Sequence, residues 1–183
     1  MGSSLYPVSY LAVLATILVA SNVGVQAKRT IRIQSLDKVT EDTTHLRSHL
    51  RIAESEENEF KVDGYLDLTH SLDNDWTVVL KVLRSPDGDA DFEKVLTLEM
   101  QLCDFMKSYY KDIFYERIKG YSNAPHPGSC PLPKERYVLE DYPFKVKVLK
   151  KLMTPGFYLI KYSLKNEETK ILSYVLHIEL EED

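Results

Sequence analysis

The two cysteines are the residues of this sequence with the clearest potential for covalent chemistry. Cys103 and Cys130 are the only cysteines in the 183 residues. A cysteine pair forms a disulfide in an oxidising compartment, whereas in a reducing one it more often binds a metal or carries out redox chemistry. The compartment therefore decides how this pair is interpreted, and the N-terminal sequence bears on that question.

Residues 1–27 have the pattern of a secretory signal peptide. They contain no Lys, Arg, Asp or Glu, and an apolar run from Tyr10 to Ala20 is followed by small and polar residues. The run is shorter than the about 20 residues that a transmembrane helix needs. We therefore expect cleavage after Ala27, a secreted extracellular protein with no transmembrane segment after processing, and a Cys103–Cys130 disulfide in the mature domain, residues 28–183.

The histidines and clustered carboxylates give no catalytic or metal-binding pattern. His45 and His49 fall on one face of a strand, but no third ligand for a zinc site is suggested by spacing. Asp87, Asp89 and Asp91 alternate as in a calcium-binding loop, but the glycine and final glutamate of that loop are missing. Hydrolase, zinc-protease and phosphate-loop motifs do not occur. We expect no enzyme activity, no metal and no cofactor.

The charge balance argues against a nucleic-acid partner. The chain has 23 basic and 28 acidic residues, for a net charge of -5, whereas most nucleic-acid-binding domains have a basic excess. A local basic strand nevertheless contains Lys145 and Lys147. These two lysines are candidates for contact with an anionic headgroup or membrane surface. The alternative is a solvated strand face that lysines protect from edge pairing.

Alternating apolar residues predict the elements that position these groups. Period-two runs indicate about eight half-buried antiparallel strands, and Ser85–Gly88 has the residue types of a hairpin turn. Between them, Leu98, Leu102, Phe105, Tyr109 and Ile113 have the spacing of an amphipathic helix, which places Cys103 on that helix. The sequence therefore predicts a mainly β protein, an antiparallel β-sandwich of one domain with one inserted α-helix.

The order of several motifs resembles a known family. The helix with Cys103 is followed by an Asn/Pro-rich loop closing on Cys130-Pro131, by Asp141-Tyr142-Pro143, and by the run from Pro155 to Leu159. This order, over roughly residues 96–164, resembles the insect family of small secreted proteins that includes the CheB-type proteins. That family in turn resembles the ganglioside-activator and ML lipid-recognition domains. The resemblance implies an immunoglobulin-like sandwich whose two sheets admit an acyl chain, and a link to insect chemosensation.

These observations predict a secreted, non-enzymatic protein that binds a lipid, fatty acid or hydrocarbon between two β-sheets. The predicted ligand-binding residues are apolar strand positions and two helix residues: Leu66, Leu68, Trp76, Val78, Leu80, Phe105, Tyr109, Phe144, Val146, Tyr158 and Ile160. The alternative is an extracellular protein-interaction module with a filled core, which binds a receptor or channel ectodomain. A cavity and a core are built from the same residue types, so the sequence leaves both open.

Overall fold

A computed structural model describes residues 28–56, 59–89, 91–146 and 153–183. The predicted signal peptide, residues 1–27, lies outside the described residues, and so does Lys147.

Eight antiparallel strands form two sheets, which confirms the predicted β-sandwich. The strands are β1 (Arg29–Glu41), β2 (Leu46–Glu56), β3 (Glu59–Leu68), β4 (Trp76–Ser85), β5 (Glu93–Gln101), β6 (Arg136–Lys145), β7 (Gly156–Asn166) and β8 (Thr169–Glu182). The larger sheet has the order β1-β8-β7-β4-β5, and the smaller one has the order β2-β3-β6. The alternating patterns of the sequence therefore correspond to strands that bury one face between two layers.

The predicted turn between β4 and β5 is present. Gly88 adopts a positive φ of 84°, a conformation that costs glycine little. Its backbone N–H donates a hydrogen bond to the Ser85 hydroxyl at 3.1 Å, and that hydroxyl lies 2.9 Å from a carboxylate oxygen of Asp87. Ser85 is fully buried. Local turn chemistry alone was sufficient to predict this hairpin.

The inserted helix differs from the predicted one in start and in phase. It begins with an α-helical turn, Leu102–Phe105, continues as a π-helix, Met106–Tyr115, and ends with Glu116–Ile118. The predicted first residue, Leu98, instead belongs to β5. Because π-helical hydrogen bonds join residues i and i+5, the inward face passes through Met106 and Tyr110, whereas Tyr109 and Ile113 are each 41% exposed.

Strand β6 lies earlier in the chain than the sequence predicted. The sequence predicts Lys145 and Lys147 on one strand, but β6 ends at Lys145. Its register with β3, in which Tyr137 pairs with Leu66 and Phe144 with Phe60, aligns Arg136–Lys145 with the partner strand. Val146 follows the strand and is buried, and residues 147–152 lie outside the described part of the chain.

The Cys103–Cys130 disulfide is present, with its Cα atoms 5.6 Å apart. It joins the first turn of the helix to the loop that precedes β6. The same loop is tied to the segment between β3 and β4 by reciprocal backbone hydrogen bonds between Leu72 and Leu132, of 2.9 and 2.7 Å. The bridge therefore fixes the helix against the part of the chain that leads into the smaller sheet.

The core consists of two separate clusters of buried side chains. One includes Leu46, Trp76 and Leu102. The other includes Phe60 and Tyr158 at the opposite end of the sandwich. A sandwich of this size usually has one contiguous core, so the gap between the two clusters is the feature of the fold that bears most on function.

Candidate functional site

A cavity of about 370 Å³ lies between the two sheets. We call it the inter-sheet cavity. Side chains from five strands form most of its wall: Leu36 on β1, Leu50 and Ile52 on β2, Leu66 on β3, Ile160 and Tyr162 on β7, and Leu172, Tyr174 and Leu176 on β8. The size falls within the 300–1,000 Å³ of typical ligand pockets. The wall is mostly aliphatic and aromatic.

The inter-sheet cavity occupies the gap between the two core clusters. Leu50 and Leu66 in its wall pack against the first cluster, and Ile52 and Leu176 pack against the second. The sheets are thus held together by packed side chains at both ends and are separated by open space in the middle. An arrangement of this kind keeps the fold anchored while leaving room for an apolar guest.

Two further cavities lie beside the helix and share wall residues with the inter-sheet cavity. One, the helix cavity, has about 470 Å³ between the helix and strands β4 and β5, with Leu80, Leu98 and Phe114 in its wall. The other, the junction cavity, has about 190 Å³ and shares Leu66 with the inter-sheet cavity and Phe105 with the helix cavity. Shared walls mean that the three spaces adjoin one another.

Tyr162 is in the wall of all three cavities. It lies on β7, the central strand of the larger sheet, in a row of directly paired residues that crosses all five strands: Leu98, Leu80, Tyr162, Tyr174 and Lys38. Paired residues of antiparallel strands share one face of the sheet. The row therefore changes from aliphatic at the helix side to polar at the β1 side, with Tyr162 at the point of change.

The Tyr162 hydroxyl has no hydrogen-bond partner among the residues that the structure describes. Burial raises the pKa of Tyr162 to about 12, since the charged phenolate is disfavoured away from water. The side chain is therefore a neutral hydroxyl at physiological pH. It retains both its proton and its lone pairs for a ligand.

Neighbouring buried tyrosines differ from Tyr162 in this respect. The Tyr110 hydroxyl donates to the carbonyl oxygen of Pro125 at 2.7 Å, and that of Tyr137 donates to the carbonyl oxygen of Pro133 at 2.9 Å. Burial also raises the pKa of each of these two phenols. Fully buried hydroxyls are usually satisfied within a protein, and the buried side-chain atoms without a partner among the described residues are His45 Nδ1 and Arg84 Nε. Tyr162 is half-buried, so its unpartnered hydroxyl is open to the space of the cavities that it lines.

A polar network stands at the β1 side of the inter-sheet cavity. The Ser48 hydroxyl lies 2.8 Å from the Tyr174 hydroxyl and donates to a carboxylate oxygen of Glu41 at 2.7 Å. Lys38 donates to the same oxygen at 2.8 Å and to the Ser48 carbonyl at 2.9 Å. Because Ser48 has one hydroxyl proton and an ionised carboxylate accepts only, Tyr174 is the donor to Ser48.

This network holds Glu41 in its charged form. Burial raises the pKa of Glu41, but hydrogen bonds from Lys38 and from the hydroxyl and backbone N–H of Ser48 outweigh it, and the net pKa lies below the usual value of 4.5. The hydrogen bond to Glu41 likewise raises the pKa of Lys38. The charges are thus paired with each other, and the cavity presents no free ion to a ligand at this side.

The predicted ligand-binding residues divide into two groups by position. Leu66 and Ile160 line the inter-sheet cavity, and Val78, Leu80, Phe105 and Tyr109 line the helix cavity. The others, Leu68, Trp76, Phe144, Val146 and Tyr158, are packed in or against the two core clusters and border none of the three cavities. Alternation identified the inward face of each strand, but not which inward positions meet open space.

Of the two lysines predicted as headgroup contacts, Lys145 is described by the structure and does not lie at these cavities. Lys145 is exposed at the end of β6, opposite Glu59 in register, and it borders none of the three cavities. Lys147 lies outside the described residues. A role for either lysine therefore remains a prediction from the sequence.

Several residues of the site were missed by sequence reasoning. Ser48 is a polar residue at an inward-facing position of the strand, between the apolar inward residues Leu46 and Leu50. A polar residue at such a position indicates a buried hydrogen bond. The special position of Tyr162 had no such signal. It depends on the register of five strands, which one strand's sequence does not encode.

The described residues contain neither a metal-binding cluster nor a helix that could span a membrane. No group of three or more His, Cys, Asp or Glu is placed there to hold a metal ion. His45 instead packs its ring against His70 and Trp76, at centroid distances of 5.1 and 5.5 Å. None of the helices in this part of the chain has the length and apolar content to cross a membrane.

Part of the chain matches a protein family, and its fold is similar to that of a solved structure. Residues 78–160 match a family described as "Protein of unknown function (DUF1091)", and the match overlaps the motifs that carry the resemblance noted in the sequence. No curated protein matches the chain. Among solved structures, the chain is similar to chicken MD-1 complexed with lipid IVa, with 12% identity, a TM-score of 0.39, and coverage of 84% of this chain and 98% of that chain.

Proposed function

We propose that this protein is a secreted, non-enzymatic binding protein that holds a lipid or other apolar ligand between its two β-sheets. The observation that carries the proposal is the inter-sheet cavity, which separates the core into two clusters and is walled mainly by apolar side chains of both sheets. A cavity with this lining favours burial of a hydrocarbon chain, at about 25 cal/mol per Å² of apolar surface before ordering costs.

Features of the sequence support an extracellular location and a role in chemosensation. A signal-like segment at residues 1–27 and a disulfide between Cys103 and Cys130 fit an extracellular protein. The resemblance of residues 96–164 to the secreted insect family is the basis for proposing a role in chemosensation. In that role the protein would carry a water-insoluble compound to its site of detection.

The competing interpretation is a protein-interaction module with a filled core. A filled sandwich of this size would bring the side chains of its two sheets into contact along their whole length. The open space between Leu50 on β2 and Leu176 on β8, both in the wall of the inter-sheet cavity, favours ligand binding instead.

The first experiment tests for ligand binding directly. The protein is secreted from cultured cells, purified, extracted with organic solvent and analysed by mass spectrometry, and the delipidated protein is titrated with a fluorescent fatty acid. Leu50→Phe and Leu176→Phe add volume inside the inter-sheet cavity and should weaken probe binding. Val39→Phe makes a similar change at a position that is 64% exposed and should leave probe binding unchanged.

Two results would contradict the proposal. One is a clean extract together with no fluorescence change in the wild-type protein. The other is equal weakening by the cavity variants and by Val39→Phe. N-terminal sequencing of the secreted material tests the localisation, since cleavage after Ala27 predicts a mature chain that begins at Lys28.

A further inference from the structure

We propose that Tyr162 is the polar anchor of the binding site, and that the ligand is a neutral long-chain compound whose oxygen function, such as an ester carbonyl, lies within the chain instead of at its end. This inference rests on the proposed function and specifies its ligand class. It is carried by the position of Tyr162 in the walls of three adjoining cavities and by its unpartnered hydroxyl.

Tyr162 borders two apolar spaces. It is in the wall of the inter-sheet cavity, of about 370 Å³, and in the wall of the helix cavity, of about 470 Å³. A ligand with one terminal polar group would fill one of these spaces and leave the other empty. A chain with a central oxygen would fill both, while its oxygen meets the Tyr162 hydroxyl.

Of the two paired tyrosines at this point of the wall, only Tyr162 has a hydroxyl proton to offer a ligand. Tyr174, its directly paired neighbour on β8, already donates its proton to Ser48, which in turn donates to Glu41. Tyr174 therefore has lone pairs to offer but no proton. Tyr162 retains its proton, so a carbonyl or ether oxygen, which accepts only, is matched by Tyr162 and not by Tyr174.

The same surroundings exclude a charged group at this depth. Burying a carboxylate without a paired cation is costly, and the ammonium group of Lys38 is already held by Glu41 and Ser48. A free fatty acid would therefore keep its carboxylate near solvent and would make no hydrogen bond with Tyr162. The polar group that Tyr162 recognises is neutral.

The experiment compares two probes of matched chain length, octyl octanoate and heptadecane, which differ by the central ester. Each displaces the neutral fluorescent probe N-phenyl-1-naphthylamine from the delipidated protein. We expect the wild type to prefer the ester by about 3- to 10-fold, the effect of one additional hydrogen bond. Tyr162→Phe should abolish that preference and leave the affinity for heptadecane unchanged.

Tyr121→Phe is the matched control. Tyr121 is 42% exposed, its ring packs against that of Tyr142 at a centroid distance of 5.7 Å, and it borders none of the three cavities. This variant should keep the full preference for the ester. Equal affinities of the wild type for the two probes, or an ester preference that survives in Tyr162→Phe, would overturn the inference while leaving the proposed function intact. If the wild type binds neither probe nor the fluorophore, the proposed function fails and this inference fails with it.

Discussion

Tyr162 and Tyr174 face each other across β7 and β8 as directly paired residues on the wall of one cavity, yet only Tyr174 has a hydrogen-bond partner for its hydroxyl among the described residues. Their chemical identity and their neighbouring positions make them a natural matched pair. A difference between them in stability or binding isolates the effect of the hydroxyl's surroundings from the effect of the ring.

The first prediction concerns the stability of the ligand-free protein when either hydroxyl is removed. Tyr174→Phe deletes a hydrogen bond to Ser48 and should lower the free energy of unfolding by about 1–2 kcal/mol. Tyr162→Phe removes a hydroxyl with no protein partner and should leave that free energy unchanged or raise it. Urea unfolding followed by circular dichroism measures both. A comparable loss in the two variants would show that Tyr162 is hydrogen-bonded within the fold.

The second prediction is a pH dependence that arises from Glu41. The folded-state pKa of Glu41 lies below its usual value of 4.5, so the carboxylate stabilises the fold at neutral pH. This contribution is lost as the pH falls below that value and the folded protein takes up the proton. Glu41→Gln should lower the free energy of unfolding by about 1–2 kcal/mol at pH 7. It should also flatten the decrease in stability below pH 5.

Glu54→Gln is the control for this measurement. Glu54 is an exposed residue near the end of β2, the strand that also contains Ser48. Its substitution should change stability by less than about 0.5 kcal/mol. If Glu54→Gln and Glu41→Gln have the same pH profile, the acid sensitivity arises elsewhere, and the paired network of Lys38, Glu41 and Ser48 is not its source.

The sequence predicted the strands, the turn and the presence of a helix, but it did not predict how these elements pack against one another. Strict alternation in Trp76, Val78 and Leu80 predicted a half-buried strand, and local residue types predicted the turn at Gly88. The helix was recognised, but its buried residues from Met106 onwards, Met106 and Tyr110, were not predicted, because side-chain spacing assumes 3.6 residues per turn and this segment is π-helical. No local pattern in the residues signalled that change of hydrogen bonding.

The candidate site was harder to predict for a physical reason. Leu68 and Leu66 are alternate inward residues of one strand, yet Leu68 is packed in a core cluster and Leu66 borders two cavities. Whether an inward side chain meets a neighbour or open space depends on the distance between the sheets and on the helix that covers one of them. Those quantities are set by the whole fold, so residue type and periodicity do not determine them.

The third prediction concerns the disulfide. Closing a loop of 27 residues between Cys103 and Cys130 stabilises the fold by about 3–4 kcal/mol in the chain-entropy description. Cys103→Ser should lower the melting temperature and leave Cys130 reactive towards thiol reagents. The double variant Cys103→Ser/Cys130→Ser should be destabilised as much but should not react. Labelling of both cysteines in the unfolded, unreduced wild type would show that the bridge does not form.

The last prediction concerns the close approach of β2 and β3 at the cavity wall. Gly64 lies in that wall, and a Cβ atom there would collide with the backbone carbonyl oxygen of His49 and come within 3.1 Å of a methyl group of Leu50. Because a backbone atom does not move aside easily, Gly64→Ala should destabilise the fold by about 1–3 kcal/mol. Gly120→Ala, where a Cβ atom meets open space, should cause no loss. Thermal unfolding measures the stability of both variants. Equal stability of Gly64→Ala and Gly120→Ala would mean that β2 and β3 are farther apart in solution.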